Sequence, residues 1–354
     1  MKPRLFISLT FALLLSPCAP GQTMPAGSEM GHGLRDTTGA SAPSSMPEKS
    51  DATVHGATSP ADVQNGNSVS TKKQLLHRID LYEDALRQAK DAHASDAELG
   101  RLYLTIGVLS DEAQLWDRAE INLEQARSLL AHSAESSRDL ATTLGVLGTL
   151  HMVMRKFRQS EKEEEEALRL RENLRNPLLI ARSWSDLATL YLAENKFAKA
   201  KGFAEKAIAE FGANAGTTVY DRITVRYVLG VALCMSKDCA SAIAPLEDAV
   251  HEAKANLLQD GMGDFLLGYV FWKSGNLVEG GRHMEEGMDV LNEQLGVGNP
   301  SSLVASRQYA KFLRESRRVD EAEVIERRIR QAEAVVDVHS IQAYQGGNGL
   351  AALR

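Results

Sequence analysis

The clearest pattern of apolar and polar positions lies in Ala181–Ile208. Trp184, Leu187, Ala188 and Tyr191 fall at i, i+3, i+4 and i+7, one face of an α-helix. Ala200, Ala204 and Ala207 then fall at i, i+4 and i+7 and mark a second helix, with Asn195-Lys196 between them as the turn. Small residues on the second helix let the first pack closely, and Trp184 and Tyr191 fill the remaining volume. The unit recurs. Its late small or apolar position reads Ala85, Ala126, Ala167, Ala207, Ala249, Gly287 and Ile329, in steps of 41, 41, 40, 42, 38 and 42. The small residue of the first helix reads Gly107, Gly148, Ala188, Gly230, Gly268 and Ala310, in steps of 41, 40, 42, 38 and 42. Two registers that agree predict six helix pairs, starting near Gly100, Ala141, Ala181, Ile223, Gly261 and Leu303. Residues 72–92 have only a second-helix pattern and predict a capping helix. The last second helix should run from Val319 to about Val338.

The pattern of Trp184, Leu187, Ala188, Tyr191, Ala200, Ala204 and Ala207 resembles the tetratricopeptide repeat (TPR), W-x2-L-G-x2-Y followed by A-x3-F-x2-A. Ala188 stands where that repeat usually has Gly, and Ala204 where it has a large residue. The long step is similar to the repeats of kinesin light chain, and Asn299-Pro300 resembles the His-Pro that often opens them. The resemblance covers about Lys72–Arg330. It implies an all-α fold, an α-solenoid of TPR hairpins forming a right-handed superhelix with a concave groove. It further implies a non-enzymatic scaffold that binds a protein or peptide partner in that groove. Transferred by register, the groove positions include Arg101, Arg182, Tyr227, Phe265, Tyr269, Trp272, Arg307, Lys311 and Arg314, with Thr142, Thr149, Ser185 and Thr189 among them.

Within that set, Phe265, Tyr269 and Trp272 form a stripe at i, i+4 and i+7, and Arg307, Lys311 and Arg314 form another. If exposed, the two would suit a ligand with an apolar segment and an acidic end. An aromatic stripe is equally the mark of a helix packed on its neighbour. The fifth repeat has Gly280, Gly281 and Gly287 in its second helix and Asp264 at a large-residue position, which predicts the least stable part of the array. Glu161–Glu166 reads as a solvated outer face, and His77 and His151 as satisfied or exposed histidines. Cys234 and Cys239 flank the turn of the fourth repeat, and the spacing leaves open a structural disulfide, two free thiols or a redox pair.

Composition adds an address rather than a chemistry. Lys2 and Arg4 precede the apolar run Leu5–Leu15, which is too short to span a bilayer, and Ala19 and Gly21 supply small residues for cleavage. The expected organisation is a signal peptide at 1–21, a disordered tether at 22–70, a capping helix at 71–95, six repeats at 96–340 and a flexible tail at 341–354. Export would be periplasmic or secreted, and the alternative is a lipoprotein acylated at Cys18, with Pro17 against it. The tether is poor in large apolar residues and so unable to offset the entropy of ordering. Its Met24, Met30, His32, Met46 and His55 are soft ligand types at irregular spacing, an alternative metal-handling role. Net charge is −7, and −9 once Lys2 and Arg4 are removed, which speaks against a general nucleic-acid binder. No phosphate loop, zinc spacing, haem-attachment motif or nucleophile elbow is present in the sequence, so no enzyme, metal or cofactor is expected. A structural role through homo-oligomerisation is the other class of reading, and the oligomeric state is left open.

Overall fold

The computed structural model describes residues 60–132 and 136–348. The expected signal segment, Cys18 and the Met and His residues of the tether lie outside the described residues. Thirteen helices are present among the described residues, and no strand. They are α1 (Pro60–Asp91), α2 (Asp96–Glu112), α3 (Trp116–Leu130), α4 (Ser137–Val153), α5 (Phe157–Asn173), α6 (Pro177–Ala193) and α7 (Phe197–Ala213). After them come α8 (Val219–Met235), α9 (Cys239–Ala255), α10 (Gly261–Lys273), α11 (Leu277–Leu295), α12 (Pro300–Glu315) and α13 (Val319–Asn348). Two bounds differ from expectation. Helix α1 begins at Pro60 rather than near residue 71, and α13 runs to Asn348 rather than to about Val338. Both extensions prolong a helix nucleated within the array, and adding a residue to an existing helix costs far less than starting one.

The chain divides into two compact units, the first ending at Leu129 and the second carrying α4–α13. In the first unit α1 packs on α2. Ile79 and Leu86 meet Ile106, Leu109 and Ala113, with Tyr82 and Leu99 at the margin. Ser95 and Glu98 form a reciprocal capping box at the start of α2. Near the end of α2, burial pushes the Glu112 carboxyl up to about 7, opposed by Arg78 and reinforced by Asp111. The unfolded chain releases that proton near 4.5. Folded stability from this group is therefore full below pH 4.5 and is lost as pH rises from 4.5 to about 7. Glu112→Gln is expected to raise stability at pH 8 by at most about 3 kcal/mol and to change little at pH 4. Denaturant midpoints of the two chains at both pH values check this, and equal pH slopes would refute it.

In the second unit each first helix packs on the second helix of its own repeat, and also on the first helix of the next repeat. The first helices α4, α6, α8, α10 and α12 thus form one continuous layer. The turn inside each repeat is built the same way. Gln114, Arg155, Asn195, Lys237, Gly275 and Arg317 all have positive φ, between 59° and 94°. Each gives its N–H to the carbonyl three residues back, and the next residue to the carbonyl five back, as Asn195 to Leu192 (3.0 Å) and Lys196 to Tyr191 (2.8 Å). The steps between these turns equal those of the small-residue register.

That register faces a fixed partner. A Cβ on Gly107, Gly148, Gly230 or Gly268 would strike Leu123, Glu164, Leu246 or Met284, each sixteen residues further on. The glycines of the fifth repeat, expected to weaken it, also have a packing role. Gly280 and Gly287 sit where α10 and α11 touch backbone to backbone: a Cβ on Gly287 would lie 2.5 Å from the Phe265 nitrogen, and one on Gly280 2.9 Å from that of Trp272, whereas one on Gly281 would meet the Phe312 ring of α12 at 3.1 Å. Asp264 is also buried, and is held by charged partners described below.

Candidate functional site

The expected groove residues separate into three groups. The first is core. Tyr227 and Phe265 are 0% exposed and Trp272 is 4% exposed, so the aromatic stripe is not an open patch. The Phe265 backbone lies against Gly287, and Trp272 packs edge-on against Phe312. Tyr227 donates a hydrogen bond from its hydroxyl to Asp260 Oδ2 at 2.5 Å. Burial pushes the Asp260 carboxyl above its usual range, against the hydrogen bonds from Tyr227 and from the Gly263 N–H.

The second group stitches the first-helix layer together. Arg182 on α6 donates from Nε (3.2 Å) and Nη2 (3.1 Å) to the two carboxylate oxygens of Asp221 on α8. Trp272 on α10 donates from Nε1 to Glu315 on α12 at 2.9 Å. Arg314 chelates Glu326 of α13 at 2.7 and 2.8 Å, and Arg307 is bonded to Glu333. The basic row expected to receive an acidic ligand is thus largely neutralised by α13. The sequence pattern of α12 alone does not show this, because the acids come from another helix.

The third group stays accessible. Arg101 and Lys311 are exposed, and Thr142, Thr149, Thr189 and Tyr269 are half-buried on the first helices. Tyr269 stands at one wall of an open concavity of 470 Å³, lined also by Lys273, Ser274, Lys237, Ala240 and the sulfurs' residues Cys234 and Cys239. Cys234 and Cys239 are joined as a disulfide. The Lys273 ammonium lies 3.2 Å from the Trp272 ring centroid, a cation–π contact. Burial lowers its pKa; Glu315 opposes that shift and Lys311 adds to it.

Two charged clusters escaped the sequence reading. Glu163 and Glu164 belong to the run read as a solvated outer face, yet both are buried. Glu163 pairs with His151 Nδ1 at 2.6 Å inside the α4–α5 contact. The repeat register held the signal, because Glu164 occupies the place of Leu123, Leu246 and Met284. The second cluster is Asp264, His283 and Glu286, whose ligand atoms lie within 4.8 Å of one another. Lys254 sits 3.0 Å from Asp264 Oδ1, and Arg282 reaches both His283 Nε2 (2.7 Å) and Glu286 (3.1 Å). Burial would raise the Asp264 carboxyl, but hydrogen bonds from His283 and Lys254 outweigh it and hold it low. With Lys254 and Arg282 on these atoms, the cluster is an ion-pair network tying α9, α10 and α11.

Paired helices, a layer of first helices and a repeated turn define the class: a helical-repeat protein with the TPR solenoid fold. Solved structures agree. The fold is similar to apo RapI (TM-score 0.61, 12% identity, 77% of this chain and 96% of that one). It is similar to a Rap protein complexed with competence and sporulation factor (TM-score 0.55, 13% identity, 77% of this chain and 74% of that one). It is also similar to BtubC (BKLC) from P. vanneervenii (TM-score 0.52, 18% identity, 63% of this chain and 92% of that one). No family model and no curated protein matches the chain.

Proposed function

We propose that the chain is an exported, non-enzymatic scaffold that binds a protein or peptide partner on the layer of its first helices. The observation that carries the reading is that layer itself. Arg182 with Asp221 and Trp272 with Glu315 are bonded to one another within it, and small polar side chains, Thr142, Thr149 and Thr189, are left half-exposed along it. Short polar residues on a rigid layer can receive an extended segment at low entropic cost. The Rap protein solved with competence and sporulation factor supports the reading as a similar fold that holds a partner. The acidic end of the partner, first assigned to Arg307, Lys311 and Arg314, belongs in this proposal with Lys311, Lys273 and Lys237 beside Tyr269. Export after removal of residues 1–21 rests on the N-terminal basic and apolar pattern. The test is site-specific photo-crosslinking in the native host, with the probe in the layer at Thr142 or Thr189 against one on an outer second helix at Glu205. A protein adduct is expected from the layer.

A further inference from the structure

We propose that the Cys234–Cys239 disulfide is a thiol–disulfide exchange site, which oxidises an exposed dithiol of a partner protein once per bridge. Three observations converge on it. The first is that the turn does not need the bridge. Lys237 and Asp238 make the bonds to Cys234 (2.9 Å) and Leu233 (3.0 Å) that Arg155 and Lys156, or Asn195 and Lys196, make in repeats without cysteine. A loop this short would also gain little from closure. Opening the bridge therefore leaves the local structure intact, as cycling between two redox states requires.

The second observation is access. The two cysteines line the 470 Å³ concavity together with Lys237, Tyr269 and Lys273. Cys239 is half-exposed while Cys234 is buried, so an incoming thiolate meets Cys239 first. The third is electrostatic. Cys239 is the first residue of α9, where the unpaired N–H groups favour an anion. Lys237 and Lys273 line the same concavity, the Lys273 ammonium resting on the Trp272 ring. The neighbouring acid, Asp238, caps the same helix end by accepting from the Ser241 N–H, and its single charge opposes the two lysines. Glu315 and Lys311 act on Lys273 with opposite signs. A thiolate at Cys239 is thereby stabilised, and stabilising the reduced form makes a disulfide more oxidising.

A partner thiolate attacks Cys239 Sγ, the S–S bond breaks, and the electron pair leaves on Cys234 Sγ, which takes up a proton. The partner's second thiolate then attacks its own sulfur in the mixed disulfide and expels Cys239 as the thiolate. The partner's dithiol becomes a disulfide, losing two electrons and two protons, and the cysteine pair gains the electrons. The lysines favour a partner with acidic residues beside its thiols.

The experiment uses the full chain and reads each cysteine separately by mass spectrometry. In the Cys234→Ser chain, alkylation of Cys239 by iodoacetamide between pH 5 and 9 should titrate at least one unit below the free-cysteine value of about 8.5. Adding Lys237→Gln and Lys273→Gln should return it by half a unit or more. The oxidised wild-type chain should be reduced by dithiothreitol at least tenfold faster than oxidised glutathione, with its helical circular dichroism unchanged. Titration at about 8.5 or above, no response to the lysine changes, a rate no faster than that of glutathione, or loss of helix on reduction would each overturn the proposal.

Discussion

Replacing Gly287 with alanine is expected to destabilise the chain by about 3 kcal/mol, at the upper end of the usual cost of overpacking. The added carbon would lie 2.5 Å from the Phe265 nitrogen, 2.6 Å from the Gly261 carbonyl oxygen and 2.8 Å from the Phe265 Cα. All three atoms are backbone, so no rotamer change relieves the clash, and α10 must move away from α11. Gly202 in α7 is the matched control, because nothing lies within 4 Å of its would-be Cβ. There alanine should stabilise by up to about 1 kcal/mol through helix propensity. Opposite signs in denaturant unfolding are the expected result, and a shared stabilising sign would show that propensity governs both sites. The same packing predicts slow amide exchange over residues 278–288, comparable to residues 200–211, where propensity alone would predict fast exchange.

Glu163→Ala should cost about 3 kcal/mol, the upper end of the penalty for removing one partner of a buried hydrogen bond. His151 and Glu163 are 0% and 3% exposed at the side chain, so the imidazole left behind has no water to turn to. The repeat array supplies the rescue. Forty residues along, the same two positions hold Tyr191 and Phe203, stacked at 5.5 Å, and in the fifth repeat they hold Phe271 and His283, stacked at 5.7 Å. The double change His151→Tyr with Glu163→Phe should therefore recover most of the loss. Thermal unfolding of the single and double variants decides it. A single variant as stable as wild type would mean the pair is solvated, as the acidic run first suggests.

The helix pairs and their period were legible because small residues recur at the closest helix contact, and such contacts tolerate little else. Lys237 and Gly275 take the same positive-φ turn position in adjacent repeats although their side chains differ. The site was less legible. Periodicity places Phe265 and Trp272 on one face of α10, but cannot say whether α11 and α12 cover that face, and they do. It places Arg307 and Arg314 on one face of α12, but the acids that neutralise them come from α13. Glu163 and Glu164 misled for a different reason: a run of acids looks solvated unless it is aligned with Leu123 and Leu246 in neighbouring repeats. Propensity failed at Gly287 because it prices a helix alone, and this glycine acts between two helices.

The central claim is that a partner lies on the first-helix layer. The most direct measurement is the partition of photo-crosslinked adducts between probes at Thr142 and Thr189 and a probe at Glu205, made in the native host with each variant first verified as folded. The account predicts one discrete protein adduct from both layer positions, at least about tenfold over Glu205, the contrast expected when one face carries the binding energy. Equal adducts from both faces, or a discrete adduct from Glu205 alone, would contradict it.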